Sequence, residues 1–133
     1  MRNEDDKRDG ARFTYGQAFR CAFAGLAATL RTQRNAKVHL VAALLAIVLG
    51  IVLRIGLGEW LAIVICIVVV FAAECLNTAL EALVDLVSPE YHSLAKTAKD
   101  CAAAAVLVCA VGSLVVAALV YGSALVALLT PAA

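Results

Sequence analysis

The sequence predicts an all-α integral membrane protein, with an N-terminal amphipathic interface helix followed by three transmembrane helices. Three observations lead there. Of 133 residues, 64 % are hydrophobic and the mean hydropathy is +0.95, well beyond the roughly half-apolar composition of a soluble domain. Apolar runs of membrane-crossing length recur three times, separated by short polar segments. The basic residues are segregated: eight of the eleven Lys and Arg lie in the first 37 positions and none follows Lys99.

The length suits a single domain, and a formal net charge of +1 argues against nucleic acid as a partner. The five cysteines, Cys21, Cys66, Cys75, Cys101 and Cys109, form no C-x-x-C pair. They read as small apolar fillers rather than disulfides or metal ligands. The first apolar run begins near residue 38, behind a long charged segment, which is unlike a cleavable signal peptide.

Residues 1–11 carry too many charges to form a core and are expected to be a disordered arm. Residues 12–34 are expected to form the amphipathic helix, because Phe19, Phe23, Leu26 and Leu30 recur at spacings of four, three and four. With Arg20 and Arg31 off that stripe, the helix suits the membrane interface. The first span is expected at 38–55, its ends held by Lys37 and Arg54, and Gly56 to Glu59 form a turn. The second span is expected at 60–86, starting from the interface anchor Trp60 and reaching into the cytosol. Ser88 and Pro89 suggest an N-cap and first helical position, so residues 89–100 are expected to form a cytoplasmic helix leading into a third span at 101–122. Placing the basic N-terminal segment and the loop with Lys96 and Lys99 on the cytoplasmic side puts the C-terminus outside.

Chemistry is concentrated in the second span. Glu74, Asn77, Glu81 and Asp85 are spaced by three, four and four, which confines them to an arc of roughly 80° on a helix. One buried Glu serves readily as a helix–helix hydrogen bond. Three acids and an amide on one stripe are costly in lipid and point to a site. Glu74 lies about 21 Å along the helix from Trp60, in the cytoplasmic third of a hydrocarbon core of about 30 Å. Glu81 and Asp85 lie beyond it, so the stripe runs from lipid into water, where a lipid hydroxyl could meet a water-soluble co-substrate. Across the loop, His92, Lys96 and Lys99 share a face, and Lys99–Asp100 stand at the mouth of the third span. Lys96 alone reads as a positive-inside signal. Lys99 beside an acidic stripe suggests a polyphosphate held with a divalent cation. The sequence has neither G-x-x-x-x-G-K nor G-x-G-x-x-G, so any nucleotide must be held by side chains and metal.

At these residues the sequence resembles a known family. Glu74-Cys75-Leu76-Asn77-Thr78-Ala79-Leu80-Glu81-Ala82-Leu83-Val84-Asp85 is similar to the E-x-x-N-[ST]-A-x-E-x-x-x-D stretch of the bacterial membrane diacylglycerol kinases and undecaprenol kinases. Glu90-Tyr91-His92, and Lys99-Asp100 before a small-residue run, resemble the same family, and the likeness extends over about residues 12–120. The resemblance implies a homotrimer with active sites at subunit interfaces near the cytoplasmic surface of the bacterial plasma membrane. It implies transfer of the ATP γ-phosphate, with Mg²⁺ or a similar cation, to a lipid alcohol. By motif position Glu74 is the implied general base and Glu81 a metal ligand. Asn77 is an implied polar support within the site, and Glu90, Tyr91, His92, Lys99 and Asp100 are implied nucleotide contacts, together with Glu81 through the metal. Where the family often has a second metal-binding Glu, this chain has Gln33, which can coordinate only through a neutral carbonyl. The Arg34-Asn35 and His39 pattern looks more like the undecaprenol kinases than the diacylglycerol kinases. The expected substrate is therefore undecaprenol, with diacylglycerol as the alternative. A non-enzymatic membrane assembly or transport subunit is the reading from another class, but it leaves the meeting of the stripe with Lys99–Asp100 unexplained.

Overall fold

A computed structural model describes residues 14–130, all of whose regular structure is helical. The expected arm at 1–11 and the start of the expected amphipathic helix at residue 12 lie outside them. The order is α1 (Tyr15–Thr32), α2 (Arg34–Val52), α3 (Leu57–Val87) and α4 (Ser93–Leu129). The last three are long and apolar enough to cross a membrane.

Helix α1 begins at a capping box. Thr14 Oγ1 accepts the Gln17 N–H at 3.4 Å, and Gln17 Oε1 accepts the Thr14 N–H at 2.9 Å, which satisfies donors a helix start leaves free. Phe19 and Phe23 stand exposed on its apolar stripe. One extended residue, Gln33 (φ −92°, ψ 120°), separates α1 from α2. Neither Gly nor Pro marks that break, and its side chain makes no cap bond to α2.

Helix α2 ends in a Schellman motif. Ile55 N–H donates to Gly50 O and Arg54 N–H to Ile51 O, each at 3.2 Å, the paired 6→1 and 5→2 pattern that closes a helix. The motif requires a left-handed residue, and Arg54 supplies it with φ 53°. Gly50 is fixed by space. A Cβ there would stand 2.8 Å from the Trp60 ring and 3.0 Å from Ile55 Cδ1. Helix α3 starts directly after, with the Glu59 carboxylate accepting the Gly56 N–H at 2.7 Å.

Helices α3 and α4 run antiparallel along each other, and α2 leans against both. Ile55, Ile63 and Val120 form the buried cluster away from the α3–α4 loop, with Trp60, Ile67, Val116 and Tyr121 around it. Tyr121 Oη donates to the Ala46 carbonyl at 2.7 Å, tying α4 to α2. Most large apolar side chains on α2 to α4 face outward, as in a bundle whose surroundings are hydrocarbon.

The α3–α4 connection differs from the sequence expectation. Ser88 is the C-cap of α3, not the N-cap of a new helix, and Pro89 and Glu90 lie in the loop. The next helix begins at Ser93, where His92 Nδ1 accepts the Leu94 N–H at 3.2 Å. The helix expected at 89–100 starts instead at Ser93 and leads without a break into the third span, in one continuous helix of 37 residues that runs to Leu129, seven residues past the expected end of the third span at 122. A Pro at position 89 suits either side of a helix boundary, and the cap three residues later decides between them.

Candidate active site

The acidic stripe of α3 forms one continuous feature graded by depth. Glu74 is 1 % exposed and Asn77 7 % exposed. Glu81 is half-buried, and the side chain of Asp85 is 67 % exposed. The four side chains thus pass from packed protein to open solvent over three turns.

Three elements converge on the buried part. Asn77 Nδ2 donates to Glu81 Oε1 at 3.0 Å, and Gln33 Nε2 donates to Glu81 Oε2 at 2.7 Å. Both oxygens of Glu81 are thereby oriented by amides, one from its own helix and one from the α1–α2 junction. On α2, His39 Nε2 stands 3.3 Å from Glu74 Oε1. The separation is that of an ion pair, but the alignment is not that of a hydrogen bond. Among the described residues, Glu74 Oε1 and Asn77 Oδ1 are buried without a hydrogen-bond partner. Thr78 Oγ1 donates to the Glu74 backbone carbonyl at 2.8 Å and leaves its carboxylate free.

An apolar groove of about 260 Å³ lies between α2, α3 and α4, lined by residues such as Ala42, Ala46, Ile67, Val70 and Leu114. His39 closes it toward Glu74. A second cavity of about 290 Å³ lies at the α3–α4 loop and is lined by Asp85, Glu90, Tyr91, His92, Lys99 and Asp100, among others. There Lys99 Nζ pairs with Asp85 Oδ1, and Lys96 Nζ with Asp100 Oδ2. His92 uses Nδ1 in capping α4.

The residues singled out in sequence therefore fall into two groups. Gln33, Glu74, Asn77 and Glu81 come together at the junction of α1, α2 and α3. Glu90, Tyr91, His92, Lys99 and Asp100 line the loop cavity. Among the described residues, no hydrogen bond joins the two groups within one chain. His39 entered the sequence reading only as part of a pattern, and its contact with Glu74 bridges 35 positions. A histidine in the first apolar run, on a helix that must pack against the acidic stripe, is the signal that points to it.

The oxygens at the junction suit a hard divalent cation: the Glu81 carboxylate, the unpartnered Asn77 Oδ1 and the amide carbonyl of Gln33. Gln33 turns its N–H₂ toward Glu81, so its carbonyl would bind only after the amide turns over. Among the described residues, no three His, Cys, Asp or Glu gather into a metal cage. A Mg²⁺ site of one or two carboxylates completed by substrate phosphates has that sparse character.

Residues 20–121 match the family described as prokaryotic diacylglycerol kinase. The chain belongs to that family. Among relatives of this diacylglycerol kinase family, the undecaprenol kinase of Bacillus subtilis is 38 % identical over 121 residues, covering 91 % of this chain and 97 % of its own. The diacylglycerol kinase of Synechocystis is 42 % identical over 102 residues, 74 % of this chain and 57 % of its own. That of Escherichia coli K12 is 40 % identical over 68 residues, 51 % and 56 % of the two chains. As a member of the family, the protein is a membrane lipid kinase.

Proposed function

We propose that the protein transfers the γ-phosphate of ATP to the hydroxyl of undecaprenol, giving undecaprenyl phosphate at the cytoplasmic face of the membrane. The observation that carries this reading is the apolar groove that ends, through His39, at the buried carboxylate of Glu74. A polyprenol is a primary allylic alcohol with a long hydrocarbon tail. Its hydroxyl reaches the depth of Glu74 while its tail stays among apolar helix faces. The likeness to the Bacillus subtilis undecaprenol kinase runs over nearly the whole of both chains, whereas the diacylglycerol kinases match over shorter stretches.

Glu74 acts as general base. Its carboxylate takes the hydroxyl proton as the alcohol oxygen bonds to the γ-phosphorus. The bond from that phosphorus to the bridging oxygen breaks, and ADP leaves. Glu81 would hold Mg²⁺, with Asn77 and Gln33 offering amide carbonyls. Bound there, the cation would neutralise charge on the phosphate oxygens. Lys99 exchanges Asp85 for a phosphate oxygen when nucleotide binds, and Glu90, Tyr91, His92 and Asp100 shape the cavity that receives it. Catalysis then rests on positioning and charge, as is usual for phosphoryl transfer.

The assembly proposed is a homotrimer with the active site shared between chains and the N-terminus in the cytosol. What supports sharing is that, among the described residues, no hydrogen bond joins Gln33, Glu74, Asn77 and Glu81 to Glu90, Tyr91, His92, Lys99 or Asp100 within one chain, together with the apolar faces the three spans leave outward. Purified protein in mixed micelles, assayed with ATP, Mg²⁺ and either lipid, tests the reading. We expect a higher kcat/KM for undecaprenol than for diacylglycerol. The reverse ranking would select the diacylglycerol reaction, and ATP turnover independent of any lipid alcohol would overturn both.

A further inference from the structure

We propose that His39 is a positioning residue for Glu74, linking the apolar groove to the carboxylate that receives the substrate's proton. The inference rests on the kinase reading above and adds a residue to it.

Glu74 is almost fully buried, yet little holds its carboxylate. Gln33 and Asn77 spend their amide donors on Glu81, and Thr78 bonds the Glu74 backbone. Oε1 has no hydrogen-bond partner among the described residues. The last torsion of a glutamate is broad and roughly two-fold, so an unheld carboxylate presents its lone pairs in many directions. His39 Nε2, 3.3 Å from Oε1, is the polar group that faces it. With the proton on that nitrogen, a small turn of the ring would bring an N–H onto Oε1 and fix the carboxylate plane. Contacts of this kind are often long before the reacting complex forms.

The position of His39 gives the contact a catalytic meaning beyond packing. Its side chain is 22 % exposed, against 1 % for Glu74, and it lines the groove. An alcohol entering from the groove therefore meets the imidazole before the carboxylate. A histidine that only pinned α2 to α3 would have no need to border the groove. One that aims Glu74 must stand where the hydroxyl arrives.

The test is a double-variant cycle in mixed micelles with undecaprenol, ATP and Mg²⁺. His39→Leu should lower kcat by about 10²-fold, the scale of a misplaced reacting group, with the KM for ATP unchanged. His39→Gln should recover most of the loss, because its amide N–H can stand where Nε2 stands. In a Glu74→Gln background, His39→Leu should produce no further loss, since the group it aims is already disabled. Thermal unfolding in detergent identifies any variant that fails to fold, and His39→Gln keeps the question open to refutation in that event. Full kcat in His39→Leu, equal losses in the Leu and Gln variants, or losses that multiply in the double variant would each overturn the positioning role. Absence of lipid phosphorylation by the unmodified protein would instead overturn the kinase reading.

Discussion

Glu81 is the most constrained charge on the molecule's acidic stripe, because each of its oxygens accepts an amide N–H. Replacing the Gln33 donor by a carboxylate would set two like charges together at this half-buried point, which is unfavourable unless a cation lies between them. Gln33→Glu should therefore lower the melting temperature in chelator and show a larger rise on Mg²⁺ titration than the native protein does. An identical Mg²⁺ response would remove Gln33 from the metal site. Glu81→Gln should raise the Mg²⁺ concentration needed for half-maximal turnover and lower kcat, which steady-state kinetics over a Mg²⁺ series would show. Glu74→Gln keeps shape and removes basicity. It should lower kcat by about 10²–10⁴ while ATP affinity, measured on the same detergent-solubilised protein, stays near native. Near-native turnover would make Glu74 structural. Spacing alone exposed Glu74, Asn77 and Glu81, because a helical stripe is periodic. It could not expose the partners: Gln33 meets Glu81 across 48 positions, and that contact exists only once α1, α2 and α3 have packed.

Helix ends show where local pattern and final structure part. That a break precedes the second span was readable, although Leu57, Gly58 and Glu59, expected in the turn, form the first turn of α3 and only Gly56 stands outside it, its N–H donating to the Glu59 carboxylate. The break at Gln33 was not, since it uses no Gly or Pro and its side chain serves α3 instead of capping α2. Ser88–Pro89 was misleading for a related reason. Ser88 Oγ donates to the Glu90 carbonyl within the loop, and His92 takes over the cap. The Schellman closure of α2 yields two opposite expectations. Arg54 occupies a left-handed conformation that costs a non-glycine residue about 1–2 kcal/mol, so Arg54→Gly should raise stability by about 1 kcal/mol. Gly50→Ala would drive a methyl into the Trp60 ring and should lower stability by about 1–3 kcal/mol, the usual range for overpacking. Melting in detergent micelles measures both, and a neutral Gly50→Ala would mean that Trp60 moves aside freely.

At the scale of the whole molecule, the three spans and their order were legible because lipid demands long apolar runs and the described residues hold three of them. Orientation rests on charge placement alone. In a cysteine-free background, a membrane-impermeant thiol reagent on intact cells should label a cysteine placed at Ala133 and not one placed at Asn3. Labelling of Asn3 alone would invert the topology. The length of α4 escaped the sequence reading because an uncharged run carries no internal stop signal; nothing between Cys101 and Leu129 marks the edge of the membrane.

That length sets up a mismatch within the bundle. The uncharged part of α4, Cys101–Leu129, is about 43 Å long and α2 is about 28 Å long, against a hydrocarbon core of about 30 Å. A thin bilayer covers α2 and leaves the last turns of α4 in water. A thick one covers α4 and stretches past both ends of α2. Bilayer thickness therefore acts on the two helices in opposite directions, and the contact between them passes through Tyr121 and Ala46. Reconstitution into phosphatidylcholines of increasing acyl-chain length should give turnover with a maximum at intermediate thickness, and the protein should sort toward the membrane regions that match it.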